Sequence, residues 1–369
     1  MEKNLYSILI SLIWGLCFNY HSLVAQQEAY LKTVEAIVDS IYEAEELPSL
    51  SVGVLLPGRA PIFINRGYHD RSEKKEVDEH SIYQIASLSK MMAGVIANNL
   101  LLEGEIKLEQ PITDFLPASI SDKTRQKLSV ISFRELLHHR AGLPRNAKVG
   151  YKRKDGDPYL YEYTEEDLLQ ELAKLKLKKD PGYRYSNFGY GLLGYLLERA
   201  KETSYEELLT SYVFEPTGME ETFYTLPLDN PQLVTAYRKE NRQIPTKGWV
   251  MGKLSPATTV STTMADLLRL MRAQLQAYRK YNETQEVSSL MVSSDTEVAY
   301  EGIGDYGFGM FSWASGDFGH GGDVDGFASN YSIHPKENFG VAMLTSSGGR
   351  WTGPLIVKIN KILKTKLAH

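Results

Sequence analysis

The chain has one cysteine in 369 residues. That residue, Cys17, lies in an apolar N-terminal segment, so neither a disulfide framework nor a thiol centre is open to the rest of the chain. There is no excess of base: 41 Lys and Arg stand against 46 Asp and Glu, for a formal charge of −5, and no basic run marks a nucleic-acid surface. No serine has glycine both two residues before and two residues after it, which removes the nucleophile elbow of Ser-His-Asp hydrolases. A His-Glu-x-x-His zinc motif is also missing. The adjacent His138 and His139 would point about 100° apart on a helix and chelate poorly, so they read as structural. Internal repeats and low-complexity segments are absent as well.

What is present is an ordinary globular composition, 43% apolar and 24% charged, long enough for two or three domains or for one large domain with an insertion. Residues 1–25 read as a signal peptide. Glu2-Lys3-Asn4 precedes an apolar stretch from about Leu5 to Phe18, too short to span a bilayer comfortably, and Val24-Ala25 ends it in a cleavage-like pair. Leu16 before Cys17 is not the small residue that a lipoprotein signal requires. The expectation is an exported protein, periplasmic or extracellular, that meets a membrane only through this segment if it stays uncleaved.

Apolar residues at Tyr30, Val34, Ile37, Val38 and Ile41 predict a helix over Gln27–Glu46, stopped by Pro48. Ser49–Leu56 and Pro61–Arg66 read as a strand hairpin turning at Pro57-Gly58. Further helices are expected from Ser87 to Gly104, over Ile131–His139, from Thr164 to about Leu177, over Gly189–Ala200 and over Tyr205–Phe214. Asn146–Tyr163 reads as a long polar surface loop at the rim of a cleft. Strands return at Tyr306–Ala314, Phe327–His334 and Phe339–Thr345, and Thr352–Leu367 closes the chain as an amphipathic helix. The order predicts an α+β fold: an antiparallel sheet flanked by the N- and C-terminal helices, with a mainly helical insertion. The α/β lobe would comprise about 26–90 and 246–369, the helical lobe about 91–245, with the site in the cleft between them.

Chemistry concentrates first at Ser87-Leu-Ser-Lys90, at the head of a run without charge from Met91 to Ala97. On a helix the three-residue spacing puts Ser87 and Lys90 on one face, and a helix apolar on every side is a buried one. A serine hydroxyl needs a base to become a nucleophile, and a lysine in apolar surroundings can have its pKa lowered enough to be that base. A second Ser-x-x-Lys, Ser72-Glu-Lys-Lys75, lies in a charged run and reads as a solvated turn.

Two later stretches add partners. In Pro181-Gly-Tyr-Arg-Tyr185-Ser-Asn187, a tyrosine beside a lysine ammonium can be shifted toward phenolate and shuttle protons. Asn187 offers a donor and an acceptor to a substrate amide. In Gly319-His320-Gly321-Gly322-Asp323, glycines in a strand let another group, often a ligand, approach the backbone.

These three stretches, in this order, resemble the serine β-lactamase and penicillin-binding protein superfamily, in particular its class C-like branch. Leu136–Pro144, Phe214–Met219 and Val260–Leu267 resemble it too, so the likeness spans nearly all of the expected mature chain. It implies that Ser87 is acylated, that Lys90 and Tyr185 relay its proton, and that Asn187 holds the substrate's amide or acyl side chain. It further implies that His320, where many relatives have lysine, supplies positive potential and a hydrogen bond. The N–H groups of Ser87 and, by register, Asp323 would form the oxyanion hole, and neither metal nor cofactor is needed. At Gly321 the chain departs from the family, which often has Thr or Ser there to hold a substrate carboxylate. That departure points to an esterase or peptidase, including one for D-amino-acid amides, acting on a small molecule or peptide. A true β-lactamase, or a sensor that is acylated and stays so, are the alternatives.

Overall fold

The computed structural model describes residues 30–148, 163–177, 181–291, 297–300 and 304–367. The expected signal segment and most of the expected loop over Asn146–Tyr163 lie outside the described residues.

A helix over 30–44 (α1) leads into β1 (Ser49–Leu55) and β2 (Ile62–Gly67). After the two-residue β3 (Tyr83–Gln84) and a 3-10 turn over Ala86–Leu88 comes α2 (Ser89–Glu103). The helical block continues with α3 (Asp122–Leu128), α4 (Phe133–Leu137), α5 (Glu165–Lys174) and α6 (Asn187–Lys201). It ends with α7 (Tyr205–Leu209), a π turn and the short α8 (Glu215–Thr217). Then follow β4 (Ala236–Arg238), β5 (Asn241–Thr246), β6 (Ser261–Thr262) and α9 (Met264–Thr284). The last segment holds β7 (Glu297–Tyr300), β8 (Gly304–Gly307), β9 (Met310–Ser312), β10 (Phe318–Val324), β11 (Phe327–His334), β12 (Phe339–Thr345) and α10 (Thr352–Leu367).

Eight strands form one antiparallel sheet in the order β2-β1-β12-β11-β10-β9-β8-β7, so strands from the two ends of the chain, β1 and β12, pair side by side. Every residue of β1 is buried because both faces are covered. Leu50, Val52 and Val54 face α1 and α10, where they join Val34, Val38, Ile359 and Leu363. Alternate residues face α9, so closely that a side chain on Gly53 would come within 2.5 Å of Met264 Sδ. Each large apolar side chain sealed this way contributes about 1.5–3 kcal/mol. The α+β expectation therefore holds.

Two details differ from the sequence reading. The stretch expected as one strand over Tyr306–Ala314 is a hairpin, β8–β9, because Phe308 and Gly309 both take positive φ (50° and 81°). The 21-residue α9 is not among the elements expected from sequence, although Thr263 caps it by accepting from the Asp266 N–H at 3.1 Å. No helix among the described residues is long and apolar enough to cross a membrane.

Candidate active site

Ser87 is presented by a tightly determined turn. β3 pairs with β6, the Ile85 N–H donates to the Val260 carbonyl at 2.9 Å, and Ser329 Oγ donates to the Ile85 carbonyl at 2.7 Å. Ala86 is held at φ 52°, a left-handed conformation that costs a non-glycine residue about 1–2 kcal/mol. The turn makes Ser87 part of a 3-10 segment, in which residues three apart eclipse, so the spacing still aligns it with Lys90. Ser87 is half-buried; Ala86, Leu88, Ser89 and Lys90 are buried.

Lys90 Nζ lies 3.1 Å from Ser87 Oγ and donates to the Ala257 carbonyl at 2.8 Å. Its side chain is fully enclosed. The Tyr185 and Tyr190 rings lie 5.0 and 5.9 Å from Nζ, and the β8–β9 turn packs on the backbone behind it, where a Cβ on Gly309 would lie 2.2 Å from the Lys90 carbonyl oxygen. Burial, and after it the charge of Arg145, hold the Lys90 pKa well below the ordinary lysine value. Once it has lost its extra proton, the amine can keep one N–H for Ala257 and turn its lone pair toward Ser87.

Tyr185 stands over this pair, with Lys90 Nζ 5.0 Å from its ring centroid and its hydroxyl hydrogen-bonded to Ser87. Burial pushes its pKa up to about 12, outweighing the Ser87 bond and the Arg145 charge. The expected shift toward phenolate does not occur, because burial outweighs everything that favours the charged form. Tyr185 is a phenol that can pass a proton on.

Asn187 begins α6, just after the N-cap Ser186, whose Oγ accepts from the Gly189 N–H at 2.8 Å. Its Nδ2 donates to Asn146 Oδ1 at 2.9 Å, and its Oδ1 has no partner among the described residues.

His320 faces the same cleft from β10, with its ring 6.2 Å from that of Tyr185. Its Nδ1 donates to the Gly321 carbonyl at 2.6 Å, which leaves Nε2 as an unpartnered acceptor. Burial and the neighbouring Lys90 push its pKa down to about 3. This corrects the expectation of positive potential: His320 is neutral and offers a lone pair.

The glycines of β10 divide by face. A Cβ on Gly322 would lie 2.2 Å from the Ile85 carbonyl oxygen, so the close approach is made by the protein's own turn and not by a ligand. At Gly321 the nearest atom would be Asn330 Nδ2 at 3.4 Å, ordinary contact. The Asp323 carboxylate is exposed and faces Lys239 Nζ at 3.5 Å.

Two residues that motif reading did not place belong here. His139, read as structural, takes positive φ (57°) after α4 and lies under Tyr185, rings 4.4 Å apart, while stacking on Tyr306 at 4.6 Å. Its Nδ1 accepts from the Ser186 N–H at 3.2 Å, so it positions Tyr185 and the start of α6. Arg145 places its guanidinium 5.1 Å from the Tyr185 ring centroid. A Leu-Pro-Arg sequence carries no signal for that contact.

Among the described residues, the group of side chains with metal-ligand character is Asp317, His334 and Glu337. It lies at the other end of the β10–β11 hairpin, where Asp317 already binds the Lys364 ammonium and His334 Nδ1 at 2.8 Å. Ser87 and Lys90 do not border it, nor do they line the apolar groove of about 570 Å³ beside it, between Gly319, Gly321 and α10.

The β-lactamase family profile matches residues 34–354. The chain belongs to the β-lactamase family. Within that family its fold is shared with a class C β-lactamase from Rhodobacter sphaeroides, at a TM-score of 0.73 and 19% identity, over 91% of this chain and 99% of that one. A β-lactamase from Escherichia coli K12 is 24% identical over 76% of this chain and 70% of its own. Protein flp from Staphylococcus aureus MW2 is 22% identical over 89% of this chain, which spans 65% of that relative's length. The β-lactamase family relationship accounts for the fold. At these identities it leaves the substrate open.

Proposed function

We propose that this protein is a serine hydrolase that works through a Ser87 acyl-enzyme on an ester or on an amide of the D-amino-acid or DD-peptide type. The observation that carries the reading is the Ser87–Lys90 contact at 3.1 Å with the lysine enclosed and its pKa lowered by burial. Lys90 Nζ takes the Ser87 proton as Oγ attacks the substrate carbonyl carbon. The oxyanion is met by the N–H groups of Ser87 and Asp323. As the C–O or C–N bond breaks, the proton passes from Lys90 through the Tyr185 hydroxyl to the leaving group. Water then attacks the acyl ester, releasing the acid and restoring Ser87. Asn187 Oδ1, without a partner of its own, accepts from a substrate N–H.

The choice of an esterase or peptidase over a β-lactamase rests on β10. Gly321 brings no hydroxyl and His320 brings no charge, so this wall has little to hold a substrate carboxylate. The signal-like N-terminus supports export as the setting.

The test is hydrolysis of a p-nitrophenyl short-chain ester, nitrocefin and a D-Ala-D-Ala peptide side by side, with Ser87→Ala as the blank. Ester or peptide turnover with weak nitrocefin activity supports the reading. Fast nitrocefin turnover makes the protein a β-lactamase, and stoichiometric acylation without turnover makes it a sensor.

A further inference from the structure

The cleft wall opposite β10 carries a positive charge that has no ion-pair partner among the described residues. Arg145 follows Pro144 in the loop after α4, and its carbonyl accepts from the Asn187 N–H at 2.7 Å, which ties the loop to the start of α6. The side chain is exposed and its guanidinium lies against the Tyr185 ring. Among the described residues no carboxylate pairs with it. Of the other basic groups at the cleft, His139 and His320 are neutral through burial, Lys90 is enclosed with its pKa lowered and donates to the Ala257 carbonyl, and Lys239 faces Asp323. The Arg145 charge is felt across the site, lowering the pKa of Lys90, Tyr185 and His139. Beside it stands Asn187, whose free Oδ1 marks the acyl-side wall in the reading above.

We propose that Arg145 is a specificity residue that selects substrates bearing a carboxylate on the acyl portion, on the Asn187 side of the scissile bond. A guanidinium held against an aromatic face and open to solvent is pre-organised for a carboxylate, which it can meet with two parallel N–H bonds. The opposite wall, at Gly321, has no such group, so the charge preference belongs to the acyl group and not to the leaving group. The inference rests on the hydrolase reading.

The experiment compares two esters with the same leaving group: the p-nitrophenyl monoester of glutaric acid, and neutral p-nitrophenyl pentanoate. Wild-type protein is expected to favour the monoester by about tenfold in kcat/KM, as one hydrogen-bonded charge pair predicts. The ratio of the two substrates is the readout, because removing the Arg145 charge also shifts the Lys90 pKa and moves both rates together. In Arg145→Gln the ratio falls to about one, whereas Arg145→Lys keeps most of it. In wild-type protein 0.5 M NaCl lowers the ratio, a second measurement that needs no variant. An unchanged ratio in Arg145→Gln, or a wild-type ratio near one, overturns the inference; Ser87-dependent turnover of the neutral ester then leaves the hydrolase reading standing. If neither ester acylates Ser87, as read by intact mass, the reading falls and the inference with it.

Discussion

Lys90 Nζ and Ser87 Oγ stand 3.1 Å apart with the lysine wholly enclosed, so the base and the nucleophile meet where only the nucleophile is open to a substrate. Ser87→Ala is expected to lose all labelling by a fluorophosphonate probe while keeping its fold. Ser72, in the other Ser-x-x-Lys, donates to Asp70 at 2.5 Å on the surface, and Ser72→Ala should change ester turnover less than twofold. Labelling of Ser87→Ala, or a large rate loss in Ser72→Ala, would reassign the nucleophile.

The buried Lys90 also sets a pH dependence of stability. Its pKa in the folded chain is lowered, while an unfolded lysine titrates near ~10.4. Between the two values the unfolded chain binds one more proton, so stability rises with pH by up to ~1.4 kcal/mol per unit and is lowest below the folded pKa. Lys90→Met removes the group. Denaturant unfolding should find this variant more stable than wild type at pH 7, with the gap closing as pH rises toward 10. A gap that does not vary with pH would mean that the folded lysine titrates as an exposed one does.

His320 should hold one tautomer. With Nδ1–H on the Gly321 carbonyl and a pKa of about 3, nitrogen-15 correlation spectra should show a neutral ring, protonated at Nδ1, unchanged from pH 5 to pH 8. The acid limb of the rate profile then belongs to Lys90, and His320→Gln should leave its midpoint in place. A ring that titrates near pH 6.5 would restore the positive charge to this wall.

Two neighbouring glycines should respond in opposite ways. Gly322→Val drives a side chain into the Ile85 carbonyl, with the Cβ itself only 2.2 Å away, and should push β10 off the Ser87 turn, costing about 1–3 kcal/mol and most of the activity. Gly321→Ser meets only ordinary contact at 3.4 Å and adds the missing hydroxyl. One hydrogen bond to a charged group is worth about 1.5–3 kcal/mol, so acylation by nitrocefin should rise about tenfold or more. Stable, active Gly322→Val protein would dissolve the contact argument, and an unchanged nitrocefin rate in Gly321→Ser would remove Gly321 from the account of specificity.

The amino-acid sequence alone determined the α+β layering, because helix and strand periods are local and the apolar faces of β1, β12 and α10 are written in consecutive residues. It also determined the three stretches that converge on the cleft, since the Ser87–Lys90 spacing is a property of one turn. The hairpin at Phe308-Gly309 escaped it because the aromatic and apolar residues on either side of that turn read as one continuous strand. Tertiary structure decided what each group is. Whether a lysine, a tyrosine or a histidine is charged depends on how completely distant segments enclose it: the Tyr185 and Tyr190 rings at Lys90, the rings of His139 and Tyr306 around Tyr185, and the rings of Tyr306 and Phe311 at His320. Arg145 became part of the site only through the backbone tie that brings its loop to α6. Periodicity and motif spacing report neighbours along the chain, whereas desolvation and charge act through space.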